Sequence, residues 1–326
     1  MNPQTTHSIR VWGTLALLLA GLFVFGLLAT LKLQRKAAPK TPFTIGVLIS
    51  SDSRLPVVEG LKDGLFSLGV DNFAINLKNA EGDFARIESL LDDLIRERPD
   101  YIIAIGGLEL DLLVRAKTDI PKFFALATQP GRHGAVFPGV ESTAPNGTYE
   151  RMEIAKKILP EIKKFTLLTS TTTLGGIISG EKAREFAAKN RDYSIAVLEF
   201  SNVGEVKRFA STINKSHGVI FPAPAAVIEP QFFEILKFAE AAGVPVVAAI
   251  REMAEAGAVF SYGEEFSEIG REAAFLIYEA AVKKTPLLSI KNRTTKPSLV
   301  INKKAAGSLG IDIPADILKQ AAKIVE

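Results

Sequence analysis

From Phe43 onward the chain alternates two kinds of segment. Short runs rich in apolar residues, FTIGVLIS (43–50), FAINLKN (73–79), YIIAIGG (101–107) and KFFALAT (122–128), are separated by longer stretches at about 55–69, 84–99 and 108–119. The runs predict strands, and the stretches between them are of helical length. Strands that are apolar on both sides need cover on both sides. The alternation therefore predicts a parallel sheet between two layers of helices, a doubly wound α/β unit. A loop over 129–146, rich in Gly and Pro, is long for such a domain. The pattern then restarts with helix 148–159, strand 164–170, helix 176–190, strand 193–200, helix 203–214, strand 218–224, helix 230–242 and strand 245–250. No close sequence repeat relates the halves, yet one architecture occurs twice, which predicts two similar lobes.

The stretch 257–284, GAVFSYGEEFSEIGREAAFLIYEAAVKK, reads as a short buried strand, a turn and an amphipathic helix. Glu264, Glu265 and Glu268 stand early and Lys283 and Lys284 late, the order that suits a helix dipole. Phe266, Ile269, Ala273, Leu276, Ile277 and Ala280 fall on one face, which needs a sheet beneath it.

Before the first lobe, 11–31 is a run of 21 residues without a charge, long enough at ~1.5 Å per residue to span a bilayer's hydrocarbon core. It exceeds an ordinary signal-peptide core, and Leu27 and Ala29 make a poor cleavage site, so an uncleaved signal anchor is expected over a cleaved signal. Lys32, Arg35 and Lys36 on its far side oppose export by the positive-inside rule. A short Lys- and Pro-containing linker, 34–42, follows and tethers rather than folds.

The net charge of +3 divides unevenly, because residues 1–40 carry five bases and no acid, leaving the remainder at −2. A slightly acidic body has no excess of cations for phosphates, so nucleic acid is not an expected partner. There is no cysteine, which excludes disulfides, thiolate metal sites and a lipid-modified N-terminal cysteine. His7, His133 and His217 lack metal-ligand spacing, and neither a G-x-S-x-G elbow nor a phosphate-loop pattern follows any strand. Neither metal, cofactor nor catalytic residue is expected.

Two motifs carry a family resemblance: GAVFSYGEEFSEIGREAA (257–274) and the longer, more specific SLVINKKAAGSLGIDIP (298–314). With NAEGD (79–83), RPDYIIAI (98–105) and KILPEIKKFTLLTS (157–170), they resemble the tryptophan/tyrosine-type substrate-binding proteins of ABC transporters. The resemblance runs from about Phe43 and omits only the first forty or so residues. It implies a type I periplasmic-binding-protein-like fold, with two lobes, a hinge of three crossovers and an interlobe cleft. The segment centred on Tyr262 would return to the first lobe and 298–302 would cross back. The implied domains are 1–42 as anchor and linker, 43–146 with about 255–290 as first lobe, and 147–254 with about 291–326 as second.

In parallel sheets ligands bind beyond the carboxyl ends of the strands, so the loops there supply the candidates. Ser51, Asp52 and Arg54 follow the first strand, where capping the next helix and touching a ligand are both open readings. Gly106 and Gly107 follow the third strand with Glu109 beside them, and Thr128 and Gln129 follow the fourth. In the second lobe Ser170, Thr171 and Thr172 can present hydroxyls to an anionic group, and Pro222 stands where a polar residue would be expected. Arg251 can pair with a carboxylate or stand solvated at a helix start, and Tyr262 can stack on a ligand or pack in the core. The family's His-Pro, Asp-Pro and Thr-Asp-Asn positions read here as SSDSRLP, Gln129-Pro130 and Pro222-Ala223-Pro224, which weakens the case for an aromatic amino acid.

The expectation is an extracytoplasmic solute-binding protein of an ABC uptake system, anchored in the inner membrane and delivering a small organic ligand, amino-acid-like or carboxylate-bearing, to a permease. The alternative is a tethered ligand-sensing domain read by a separate receptor.

Overall fold

The computed structural model describes residues 42–326; the expected membrane segment 11–31 lies outside them. Among the described residues no helix is long and apolar enough to cross a membrane. The strands, in chain order, are β1 (Phe43–Ile49), β2 (Phe73–Asn79), β3 (Tyr101–Ile105), β4 (Lys122–Ala127), β5 (Gly139–Glu141), β6 (Lys164–Thr169) and β7 (Ser194–Glu199). They continue as β8 (Val219–Pro222), β9 (Val247–Ile250), β10 (Phe260–Glu264), β11 (Arg293–Thr294), β12 (Ser298–Asn302) and β13 (Lys323–Val325).

The first sheet has the order β11-β5-β4-β3-β1-β2 and is parallel throughout. Its central strands are covered on both faces, as their lack of polar positions requires. Val47, Ile49, Ile103 and Ile105 face one core with Leu61, Leu65 and Ile277, while Leu48, Ile102 and Ala104 face the other with Leu91, Leu94 and Leu113. The edge strand β2 carries no fully buried residue, which is why its apolar and polar residues mix.

In the second lobe the parallel sheet β7-β6-β8 meets the sheet β9-β10-β12-β13 through one parallel bridge, Ile220–Val246. β10 runs parallel to β9 and antiparallel to β12. The expected return of the Tyr262 segment to the first lobe is therefore corrected. Phe260 packs with Phe165, Phe221 and Ile301 in the second lobe's core, and the chain changes lobes only after Glu264.

It is the following helix, Phe266–Ala281, that joins the first lobe, lying against helix Leu55–Ser67. The two helices meet at glycines. A Cβ on Gly60 would overlap the Ser267 carbonyl, and one on Gly270 would overlap the Val57 carbonyl. Close approach buries Ala273, Ala274 and Ile277 together with Val57, Leu61 and Leu65, an apolar seam that larger residues would hold apart. The chain passes between lobes three times, after Glu141, after Glu264 and after Thr294.

Part of the long 129–146 loop is ordered as β5 and a 3-10 turn, Pro130–His133. A short helix, Arg251–Ala256, directly follows β9.

Candidate functional site

The carboxyl ends of the first-lobe strands face those of the second lobe across a cleft. Its centre is a cavity of about 50 Å³, walled by Arg54, Gly107 and Thr128 on one side and by Thr172, Pro224 and Glu229 on the other. Arg54 ends a 3-10 turn, Asp52–Arg54, that begins just after β1. Glu229 opens a second 3-10 turn, Glu229–Gln231, in the connection that follows β8. Arg54 Nη2 meets Glu229 Oε2 at 3.0 Å, and the two residues are only 5% and 4% exposed. Such a pair is costly to desolvate, and its attraction is correspondingly unscreened.

A second carboxylate lies on the first-lobe side. Glu109 is 1% exposed in the first turn of helix Gly107–Arg115. The helix is entered through Gly106 at φ 127°, where a side chain would overlap the Glu109 carboxylate. Burial pushes the Glu109 carboxyl up, against the charge of Arg54. Burial also raises Glu229, again opposed by Arg54 and by the Ser53 hydroxyl, 3.5 Å from Oε2. Two buried acids thus share one guanidinium. Arg54 Nε, Glu109 Oε1 and Glu229 Oε1 have no partner.

Other cleft groups come from elements whose chemistry was inconspicuous in sequence. His133 Nδ1 donates to Asp111 Oδ1 at 2.7 Å, and its Nε2 is buried with no partner. Leu126, at φ 58°, occupies a register shift in β4 between Ala125 and Ala127 and lines the cavity.

The remaining candidates are distributed around this centre. The Ser51 hydroxyl bonds that of Ser53 at 2.8 Å, and Asp52 accepts from Asn79 at 2.7 Å. Ser170 is buried and its hydroxyl supports Thr172 through the Thr172 N–H and hydroxyl, while Thr171 faces solvent. Gln129 lies outside the cavity wall, its carbonyl accepting from Arg132. Pro222 ends β8 in the core; Pro224, Ala225 and Ala226 form the wall there instead. Tyr262 packs against the second-lobe core. Arg251 is engaged by Glu255 at 2.8 Å and by Glu265, which hold its guanidinium above the usual range.

Glu229 escaped the sequence reading because an acid before a proline at a helix start is ordinary. The reading of Glu264 as an early charge of the helix is corrected. Glu264 ends β10 fully buried, where it accepts from Ser142 Oγ (2.6 Å), Thr143 N (2.9 Å), Thr143 Oγ1 (3.2 Å), Ala144 N (3.3 Å) and Thr295 Oγ1 (3.1 Å). These donors belong to the other two crossovers, so one carboxylate ties all three. Beside it the buried Arg151 donates to Ala144 O at 3.0 Å and to Tyr262 O at 3.1 Å. Burial pushes its guanidinium down to about 9, opposed by the charges of Glu150 and Glu264. Among the described residues no cluster of His, Asp and Glu is fit to hold a metal ion.

The fold agrees with known structures. A conserved domain protein from Vibrio cholerae O1 biovar El Tor superposes with a TM-score of 0.77 at 23% identity, over 87% of this chain and 99% of its own. An ABC domain in complex with L-Trp from Streptococcus pneumoniae superposes with a TM-score of 0.73 at 20% identity, with the same coverage. A ligand-free, open substrate-binding protein with adhesive properties from Clostridium difficile follows at 0.61 and 17%, again over 87% and 99%. No curated protein matches the sequence. Residues 43–325 match the family described as ABC transporter substrate binding protein, and with 87% of its length inside that fold the chain belongs to this family.

Proposed function

We propose that this protein is the extracytoplasmic solute-binding component of an ABC uptake system, tethered by residues 11–31 and closing two lobes on a small organic molecule. The observation that carries the reading is the cleft between strand ends of both lobes, whose connecting crossovers are tied by Glu264. The central cavity of about 50 Å³ is smaller than the ~150 Å³ that accommodates benzene, so the lobes must part to admit a solute. A solute that touches both lobes favours the closed arrangement, and that arrangement is what a permease recognises. Family membership and a relative in complex with L-Trp support the same reading.

Binding without conversion fits the cleft's chemistry. His133 and Asp111 are the pair nearest to a catalytic arrangement, yet His133 Nε2 contacts no hydroxyl to activate. Arg54, the cation closest to the solute space, is already paired with Glu229.

Calorimetry and thermal unfolding of the purified protein against amines, amino acids, carboxylates, sugars and nucleosides test the reading. Saturable binding with a rise in melting temperature is expected from at least one class, since a ligand of the folded state alone must stabilise it. Protease treatment of spheroplasts should digest the domain while the N-terminal segment stays with the membrane; protection of the domain would overturn the proposed topology.

A further inference from the structure

Among the described residues, the charged groups in the wall of the central cavity are already paired with one another. They are Arg54, Asp111 and Glu229, with His133 beside them. Arg54 meets Glu229 at 3.0 Å, and the atoms this pair leaves over, Arg54 Nε and Glu229 Oε1, are covered rather than turned to the cavity. His133 meets Asp111 at 2.7 Å, and His133 Nε2 is covered as well. Arg251, farther off, is held by Glu255 and Glu265.

A charged solute therefore gains little here. An anion would have to take Arg54 from Glu229, which strands two buried acids, Glu229 and Glu109. A cation finds only Asp111, whose side chain is 48% exposed and whose Oδ1 is engaged, and water screens such a contact. A zwitterion meets both difficulties at once.

What the cavity does offer is uncharged. The Thr128 hydroxyl belongs to its wall, and no described residue hydrogen-bonds it. In the opposite wall Thr173 caps helix Leu174–Lys189, its hydroxyl oxygen accepting from Gly176 N at 3.2 Å and its proton left to give. Leu174 and Gly175 line the same side, and first-turn N–H groups have no partner within their helix. The partial positive charge of that helix end suits a carbonyl or hydroxyl oxygen. It is too small to offset burial of a whole negative charge beside Glu229. Leu108, Leu126, Pro224 and Ala225 supply apolar wall.

We infer that the solute is a small uncharged molecule, such as a primary amide, a urea or a diol, whose oxygen accepts from the first turn of helix Leu174–Lys189 and whose N–H or O–H group donates to Thr128. This rests on the solute-binding reading above, and it sets aside the carboxylate that Arg251 suggested. At 10–15 Å³ for each water, a cavity of about 50 Å³ has room for roughly three to five, so the solute has about that many non-hydrogen atoms.

Calorimetry on the full-length protein in detergent tests this with probes matched in shape: urea and guanidinium; propanamide, propanoate, propylamine and alanine; propane-1,2-diol, lactate and 1-aminopropan-2-ol. At least one neutral probe is expected to bind saturably, ten or more times tighter than every charged member of its set. Thr128→Val should weaken that probe at least fivefold, and Thr128→Ser, which keeps the hydroxyl, should stay within about twofold of the wild type. A charged probe that binds as tightly as its neutral counterpart overturns the inference. So does a Thr128→Val variant of unchanged affinity, or a Thr128→Ser variant as weak as Thr128→Val. Silence from every small neutral probe also overturns it, whether or not a larger or charged solute binds in the wider screen above; silence in both takes the solute-binding reading with it.

Discussion

Arg54 and Glu229 stand in different lobes, 175 residues apart, and their charged ends meet at 3.0 Å beneath nearly complete cover. The contact joins the two lobes across the cleft, so parting them would uncover both charges. Removing one partner strands the other. Arg54→Gln is expected to cost about 3–5 kcal/mol, because Glu229 and Glu109 are then buried without a counter-charge. Adding Glu229→Gln should recover much of that loss. Urea unfolding of both single variants and the double variant measures the coupling, and a double variant no more stable than Arg54→Gln would remove the pair from this role.

Glu264 gives a second prediction about the hinge. Its carboxylate receives five hydrogen bonds from residues of two other crossovers. Glu264→Ala leaves several buried donors unpaired and should cost roughly 3 kcal/mol or more, on about 1–3 kcal/mol for each unsatisfied group after partial relaxation. The radius of gyration in solution scattering should also broaden, since the crossovers are no longer fixed to one another. A variant as stable and as compact as the wild type would show that the network is dispensable.

Stability should also depend on pH through Glu109. Burial holds its folded-state pKa above the ordinary 4.5, so the native protein keeps this proton to higher pH than the unfolded chain does. Its contribution is full below about 4.5 and is lost as pH rises through the folded value, because the native state then binds more protons than the unfolded state. Glu109→Gln removes this slope. Compared by denaturant unfolding, the variant should gain on the wild type as pH rises above 4.5, and parallel curves would exclude the effect.

The seam between helices Leu55–Ser67 and Phe266–Ala281 predicts a packing defect of the opposite kind to a cavity. Gly270→Ala places a methyl group against the Val57 carbonyl and, at 2.6 Å, the Leu61 amide, neither of which can move without shifting the helix. Overpacking of this sort costs about 1–3 kcal/mol. Thermal unfolding should register a lower midpoint; an unchanged midpoint would mean that the helices separate freely.

Much of the fold was legible in the chain because it depends on local pattern. The apolar runs at 43–50 and 101–107 became β1 and β3, and the amphipathic face of 266–281 found the sheet it required. Its strand, however, went to the other lobe. Phe260 can be buried equally well by either sheet, and only pairing with β9 and β12 decides between them. The site was partly legible for the same reason. Arg54, Gly107, Thr128 and Thr172 were found because loops after parallel strands must face the cleft, whereas Glu229 carries no local sign of its partner.

By itself, then, the sequence determined the alternation of strands and helices, the doubling of the α/β unit, and the motifs that mark its family, since each is set by side chains a few residues apart. Tertiary structure alone decided that Arg54 answers Glu229, that Glu264 is a buried tie between the three crossovers rather than an early charge of the helix, and that Arg251 is engaged by its own neighbours. Charge pairing and burial depend on which distant segments the fold brings within a few ångströms. That distance is not written in any stretch of the chain.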